Sequence, residues 1–259
     1  MTRYSLTLAS SVLASLALCA CTTRAVLVDT SSSSISSAVA NADRPDADKT
    51  RDANRKPAET LAFLGIHPGE QVAELLPGGG YFTRLFSNAV GPTGHVYALV
   101  PERPANAPAD MPDLAGPVKA IAANPAFANV TVVVQPINKL AAPTPVDLVF
   151  TSQNYHDLHN FPIDIAGFNK LVFNSLKPGG LYVVLDHSAQ AGSGFRDTKT
   201  LHRIDSDALK QEVMAAGFVY VGTSSLLANA ADPRTATVFD PSIRGKTDQF
   251  ILKFQRPKK

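Results

Sequence analysis

Tryptophan is absent from the 259-residue chain, cysteine occurs twice, and only 18% of the residues are charged, with a formal net charge of +2. Both cysteines, Cys19 and Cys21, lie close to the N terminus, so the rest of the chain holds neither a disulfide nor a thiolate metal site. The small positive charge comes without a basic tract, which removes the electrostatic footprint of a nucleic-acid binder. Beyond the N-terminal region no apolar run approaches the roughly 20 residues needed to span a bilayer, which excludes a polytopic membrane protein. Stability must therefore come from an apolar core, for which 45% hydrophobic residues are ample.

The N terminus is read as an address. Arg3 precedes an uncharged stretch from Ser5 to Ala20, rich in Leu, Ala and Ser. A charged start followed by a short apolar run is the pattern of a secretory signal over residues 1–20. The stretch ends Leu18-Cys19-Ala20-Cys21, which resembles a bacterial lipobox. That resemblance implies a lipidated Cys21 as first mature residue, and an exported protein that touches the membrane only through this N terminus. Thr22, where inner-membrane retention commonly uses aspartate, points to the outer membrane of a Gram-negative envelope. Simple cleavage, releasing a periplasmic product, is the alternative. Residues 21–56, with their serine cluster and mixed charges, read as a flexible tether. Residues 57–259 then form a single folded domain.

Within that domain, apolar runs alternate with helical spacing. Gln71–Leu76 reads as a strand, Pro77-Gly78-Gly79-Gly80 as a turn, and Tyr81–Ala89 as a helix with Phe82, Leu85, Phe86 and Ala89 on one face. Further strands are expected at His95–Val100, Val130–Val134, Val146–Thr151, Leu181–Asp186, Phe218–Thr223 and Asp248–Phe254. Helices are expected at Leu114–Ala123, Ile163–Leu176 and Ser206–Ala216. Repeated alternation of this kind predicts a doubly wound α/β fold, a mostly parallel sheet with helices on both faces. Ligands bind such sheets at the carboxyl ends of the strands.

Three consecutive glycines between a strand and a helix allow backbone to approach a ligand, and the helix start favours an anionic group. The stretch Val72-Ala73-Glu74-Leu75-Leu76-Pro77-Gly78-Gly79-Gly80-Tyr81-Phe82-Thr83 resembles the first motif of class I S-adenosylmethionine-dependent methyltransferases. Leu176-Lys177-Pro178-Gly179-Gly180-Leu181 resembles the loop before their fifth strand. His202-Arg203-Ile204-Asp205, Ala215-Ala216-Gly217-Phe218 and Phe239–Asp248 look like a little-characterised bacterial branch of predicted methyltransferases. The resemblance covers Pro57 to Pro257. It implies S-adenosylmethionine as cofactor, held by Glu74, Gly78, Gly79, Gly80 and Tyr81, with Glu102 reaching its ribose and Asn138 as a further contact. Two positions depart from the family pattern: Leu76 replaces the first glycine, and Val100 replaces the acid that ordinarily binds the ribose. The same Val100 counts against a nicotinamide dehydrogenase.

The loop Gln153-Asn154-Tyr155-His156-Asp157-Leu158-His159 falls after the fourth strand, beside the transferred methyl group in the family's architecture. His156 is read as the general base, Tyr155 as its positioning neighbour, and His187, which ends the fifth strand, as a second candidate. A metal site at His156, Asp157 and His159 is rejected, because the spacing matches no metal signature. His202-Arg203 is read as either a substrate-facing base and anion clamp or a structural pair with Asp205 or Asp207. Gly245-Lys246-Thr247 lacks the upstream glycine and following helix of a phosphate loop; Arg244 and Lys246 are expected to pair with Asp240 and Asp248. The resulting expectation is a methyltransferase with a small-molecule acceptor. The competing class is a noncatalytic envelope protein that kept the fold, an option raised by export away from the cytoplasmic source of the cofactor.

Overall fold

The computed structural model describes residues 1–2, 30–105 and 107–259. The signal sequence and Cys21 lie outside the described residues. Seven strands form one sheet in the order β3-β2-β1-β4-β5-β7-β6. They are β1 (Gln71–Leu75), β2 (His95–Pro101), β3 (Val130–Gln135), β4 (Val146–Ser152), β5 (Leu176–His187), β6 (Val219–Ser224) and β7 (Gln249–Gln255). Neighbours from β3 to β5 pair in parallel, and β7 runs antiparallel between β5 and β6. The chain thus has the mostly parallel, doubly wound sheet that strand and helix alternation predicts. The largest shift at a strand start is β5, which begins at Leu176, the residues Lys177–Gly180 bulging out of register against β4.

The helices are α1 (Thr30–Ala40), α2 (Asp46–Lys49), α3 (Asp52–Arg55), α4 (Pro57–Leu64), α5 (Tyr81–Val90), α6 (Gly116–Ala122), α7 (Tyr155–Leu158), α8 (Ile165–Ser175) and α9 (Ser206–Ala215). Among the described residues no helix is long and apolar enough to cross a membrane. One core joins α1, α4, α5 and α6 to one sheet face, and a second joins α7, α8 and α9 to the other. On α5, Phe82 stacks with Phe86 at 5.9 Å and meets Phe150 of β4 edge-on at 4.8 Å. Each such buried ring contributes roughly 1.5–3 kcal/mol relative to leaving it in water, which fixes α5 over β1 and β4.

The flexible tether over residues 21–56 is corrected from Thr30 onward: α1, α2 and α3 are ordered and packed on the domain. Ile35 and Ala38 sit in the first core at 7% and 0% exposure. Arg44 is fully buried, holding Asp52 through two hydrogen bonds of 2.6 and 2.9 Å and donating to the Val39 carbonyl at 2.6 Å. Arg84 of α5 reaches back to Asp48 at 2.9 Å. The segment is anchored by a few core residues and by the pairing of buried Arg44 with Asp52, and composition alone gives no sign of that pairing.

Candidate functional site

The turn from β1 into α5 holds the backbone open toward a cavity. Leu76, where the family carries glycine, adopts φ 55°, the left-handed region that glycine ordinarily fills. Its half-buried side chain packs against the second core. Gly78 and Gly79 face open space, since a Cβ added to either would meet nothing within 4 Å. Gly80 is different: at φ 77° its missing Cβ would come within 2.1 Å of Ile121, so this glycine serves helix packing rather than the ligand.

Gly78 and Gly79 border a cavity of about 180 Å³ that also touches Glu74, Leu76, Tyr81, Gln153, Arg51 and Arg55. A second cavity of about 390 Å³ shares Arg51, Arg55 and Gln153 with the first and extends to His187, Phe239, Arg244 and Thr247. Arg55 is the wall between them. Its Nη2 donates to Gln153 Oε1 at 2.8 Å, and its guanidinium lies 4.8 Å over the Tyr81 ring and 5.6 Å from that of Phe82. Burial, and then the charge of Arg51, push the Arg55 pKa down to about 10, so it stays cationic at neutral pH. Gln153 carries φ 61° and passes its amide to Gln249 Oε1 at 2.9 Å. A left-handed glutamine held by partners on both sides is local strain at a ligand-sized cleft.

Glu74 is buried at the end of β1 and accepts a 2.5 Å hydrogen bond from Thr83 Oγ1. Burial pushes its pKa up to about 8, against that hydrogen bond and the charges of Arg55 and Arg84. The site therefore presents two arginines, open glycine backbone and a largely neutral carboxyl group, a set suited to a ligand with a carboxylate end.

The remaining expected cofactor residues lie elsewhere. Glu102 and Asn138 are both exposed and line neither cavity, while Val100 is buried in the first core. Glu102 directly follows β2 and Asn138 lies in the short turn after β3, so neither side chain is brought together with the glycine turn in the first cavity.

Tyr155 is also corrected. Its ring is fully buried in the second core, where the hydroxyl donates to Glu212 at 2.8 Å and accepts from Asn169 at 2.7 Å. It cannot position a base in either cavity. His156, one residue on, points the other way but lines neither cavity. Its Nδ1 meets Asp186 Oδ1 at 2.8 Å, and its backbone N–H donates to Asp186 Oδ2 at 2.8 Å. Burial disfavours the charged ring, yet the charge and hydrogen bond of Asp186, with Asp157, outweigh it and hold the His156 pKa above its ordinary value. His156 Nε2 faces His202 Nδ1 at 3.3 Å and Asp157 Oδ1 at 3.4 Å. His159, grouped with them by spacing, instead meets Glu212 at 3.1 Å and stacks on Phe195.

His187 is the expected base that does line a cavity. Its Nδ1 lies 2.8 Å from Thr247 Oγ1, and burial pushes its pKa down to about 4, so the ring is neutral at pH 7. Arg203 pairs at 2.9 Å with Asp232, both fully buried side chains, rather than with Asp205 or Asp207. Asp248 pairs with Arg234 at 2.9 Å and Asp240 binds Ser242, leaving Arg244 at the second cavity. Sequence reasoning missed Arg51 and Arg55 by assigning them to the tether; their i, i+4 spacing, which places both on one helical face, was the available signal.

A mixed sheet whose last strand inserts antiparallel between β5 and β6, with a glycine turn after β1, defines a doubly wound, Rossmann-like fold. Solved structures narrow this to the methyltransferase fold. A methyltransferase dependent on S-adenosylmethionine from Aquifex aeolicus aligns over 85% of this chain and 97% of its own, with TM-score 0.57 and 18% identity. One from Mesorhizobium loti aligns over 80% and 100%, with TM-score 0.54 and 16% identity. A glycopeptide N-methyltransferase solved with S-adenosylmethionine aligns over 77% and 86%, with TM-score 0.51 and 16% identity. No protein-family model and no curated protein matches the sequence. The fold of this chain is that of the S-adenosylmethionine-dependent methyltransferases.

Proposed function

We propose that the protein is an S-adenosylmethionine-dependent methyltransferase acting on a small-molecule acceptor, exported and anchored through a lipidated Cys21. The observation that carries the catalytic reading is the pair of adjoining cavities at the carboxyl ends of β1, β4 and β5, joined at Arg51, Arg55 and Gln153. The amino-acid end of the cofactor suits the first cavity: Arg51 and Arg55 attract its carboxylate, and the open glycines Gly78 and Gly79 leave room beside it. When bound, the cofactor supplies an electrophilic sulfonium methyl group.

The chain's own residues orient and exclude water. Arg55 and Gln153 restrain each other at the junction of the two cavities, so an acceptor in the second cavity is held at a fixed approach. His187 faces that cavity; in the tautomer whose Nδ1–H donates to Thr247 Oγ1, the neutral ring offers Nε2 to accept a proton from the acceptor. The second reading, a noncatalytic binding protein, rests on Val100, which leaves the end of β2 without the acid that would hold the ribose.

Calorimetry on the full chain with S-adenosylmethionine and S-adenosylhomocysteine separates these readings. Saturable micromolar binding, worth about 8 kcal/mol, that disappears in Gly79→Val supports the cofactor site. Gly79 is the informative position because a side chain there enters open space without backbone strain. Absence of binding by the folded protein would overturn the cofactor reading.

A further inference from the structure

Beside the second cavity, His156 Nε2, Asp157 Oδ1 and His202 Nδ1 form a nearly equilateral triangle, with edges of 3.3, 3.3 and 3.4 Å. Hydrogen bonding accounts for one edge of this triangle, His156 Nε2 to His202 Nδ1, while the two edges to Asp157 are ion-pair separations only. Each edge is longer than the roughly 2.9 Å usual for such bonds, whereas His156 Nδ1 meets Asp186 at 2.8 Å in the same cluster. Metal coordination accounts for it well. Ligand atoms placed tetrahedrally about 2.0–2.1 Å from an ion lie about 3.3–3.4 Å apart, while octahedral placement at that distance brings neighbours to about 2.9 Å.

The surroundings have the form of a ligand set. Asp186, fully buried, takes the Nδ1 side of His156 and so directs the Nε2 lone pair into the triangle, as an outer carboxylate does for a metal-bound histidine. His202 is held at φ 55° against the edge of Phe239, and its neighbour Arg203 is fixed in the interior by Asp232. This unfavourable backbone places His202 Nδ1 opposite a residue 46 positions earlier in the chain. The side chains of His202 and Asp157 keep 29% and 37% exposure, so the triangle opens toward solvent on one side. Two imidazoles and one carboxylate select a zinc-class ion over magnesium or calcium, which prefer oxygen ligands.

We propose that His156, Asp157 and His202 bind one divalent transition-metal ion, with zinc first in order, in tetrahedral geometry with a fourth position open to water or to an oxygen or sulfur donor of a substrate. The three-ligand set with an open position is that of catalytic rather than structural zinc sites. Phe239 packs on His202, and His187 lies 6.0 Å from His156 ring to ring; both line the second cavity, which puts the ion at the rim of the space assigned to the acceptor. The site uses no residue of the glycine turn, so it stands or falls independently of cofactor binding.

The test uses the full chain stripped of metal with a chelator, then titrated with Co²⁺ followed by visible absorption and with Zn²⁺ followed by elemental analysis. The expected result is one equivalent of metal and the intense visible bands of tetrahedral Co²⁺, displaced by Zn²⁺. His202→Ala and Asp157→Asn should each weaken Zn²⁺ affinity at least 100-fold, while His159→Ala leaves it unchanged. Thermal unfolding of the metal-free variants reports whether each is folded. The wild-type titration decides by itself if a variant fails to fold. Substoichiometric binding, the pale spectrum of octahedral Co²⁺, or undiminished binding in folded His202→Ala would overturn the proposal.

Discussion

Tyr81 Oη donates a 2.6 Å hydrogen bond to Asp52 Oδ1, the same carboxylate that neutralises the buried Arg44 guanidinium. One aspartate in α3 therefore ties the first residue of α5 to the N-terminal helices. Asp52→Ala leaves Arg44 buried and unpaired, and should destabilise the protein by about 3–5 kcal/mol in denaturant unfolding. Tyr81→Phe removes one hydrogen bond to a charged group and should cost about 1.5–3 kcal/mol. If the two variants unfold with equal ease, Asp52 is not the shared anchor.

Glu74 makes stability depend on pH. Its folded pKa of about 8 lies above the ordinary 4.5, so between these values the unfolded chain releases its proton while the folded chain keeps it. The folded state binds more protons there, and stability falls as pH rises from about 4.5 to 8. Glu74→Gln keeps an acceptor for Thr83 and removes the titration. Relative to wild type it should gain on the order of 4 kcal/mol between pH 5 and pH 9. Parallel pH profiles for the two proteins would count against a raised Glu74.

The two glycines of the turn should fail in different ways. Gly80→Val drives a Cβ into Ile121 at a left-handed backbone position, and should lower stability by about 3 kcal/mol. Gly79→Val should leave the unfolding midpoint nearly unchanged and abolish cofactor binding. Unfolding curves and calorimetry on the same samples separate the two effects.

His187 and Tyr155 exchange the importance that sequence spacing suggests. On the proposed reading, His187→Gln should lower turnover about 100-fold with little change in cofactor affinity, since only the proton acceptor at the second cavity is lost. Tyr155→Phe should cost about 1–2 kcal/mol of stability, through its bonds to Glu212 and Asn169, and leave kcat unchanged. A kcat loss in Tyr155→Phe at full stability would contradict its core placement.

Most of the sheet was legible because each parallel strand is built around a short run rich in apolar residues and each helix carries its own spacing. Glu74 and the Gly78–Gly79 turn were legible for the same reason: their neighbours in sequence are their neighbours in space. Tyr155 and His156 part ways because adjacent helical positions point about 100° apart, one into a core and the other into a polar cluster. The partnership of His156 with His202, and of Arg44 with Asp52, depends on loop paths and burial that periodicity does not encode. Glu102 and Asn138 were placed by analogy with the family pattern, and in the structure both lie exposed just after β2 and β3.

Arg55 ends α3, and α3 hangs from α1 and α2, which pack on the domain through Ile35, Ala38 and the Arg44–Asp52 pair. The wall between the two cavities is thus carried by the part of the chain closest to its N terminus. A tensile load on that terminus, from whatever holds it, would be borne by α1 to α3 before reaching any strand of the sheet.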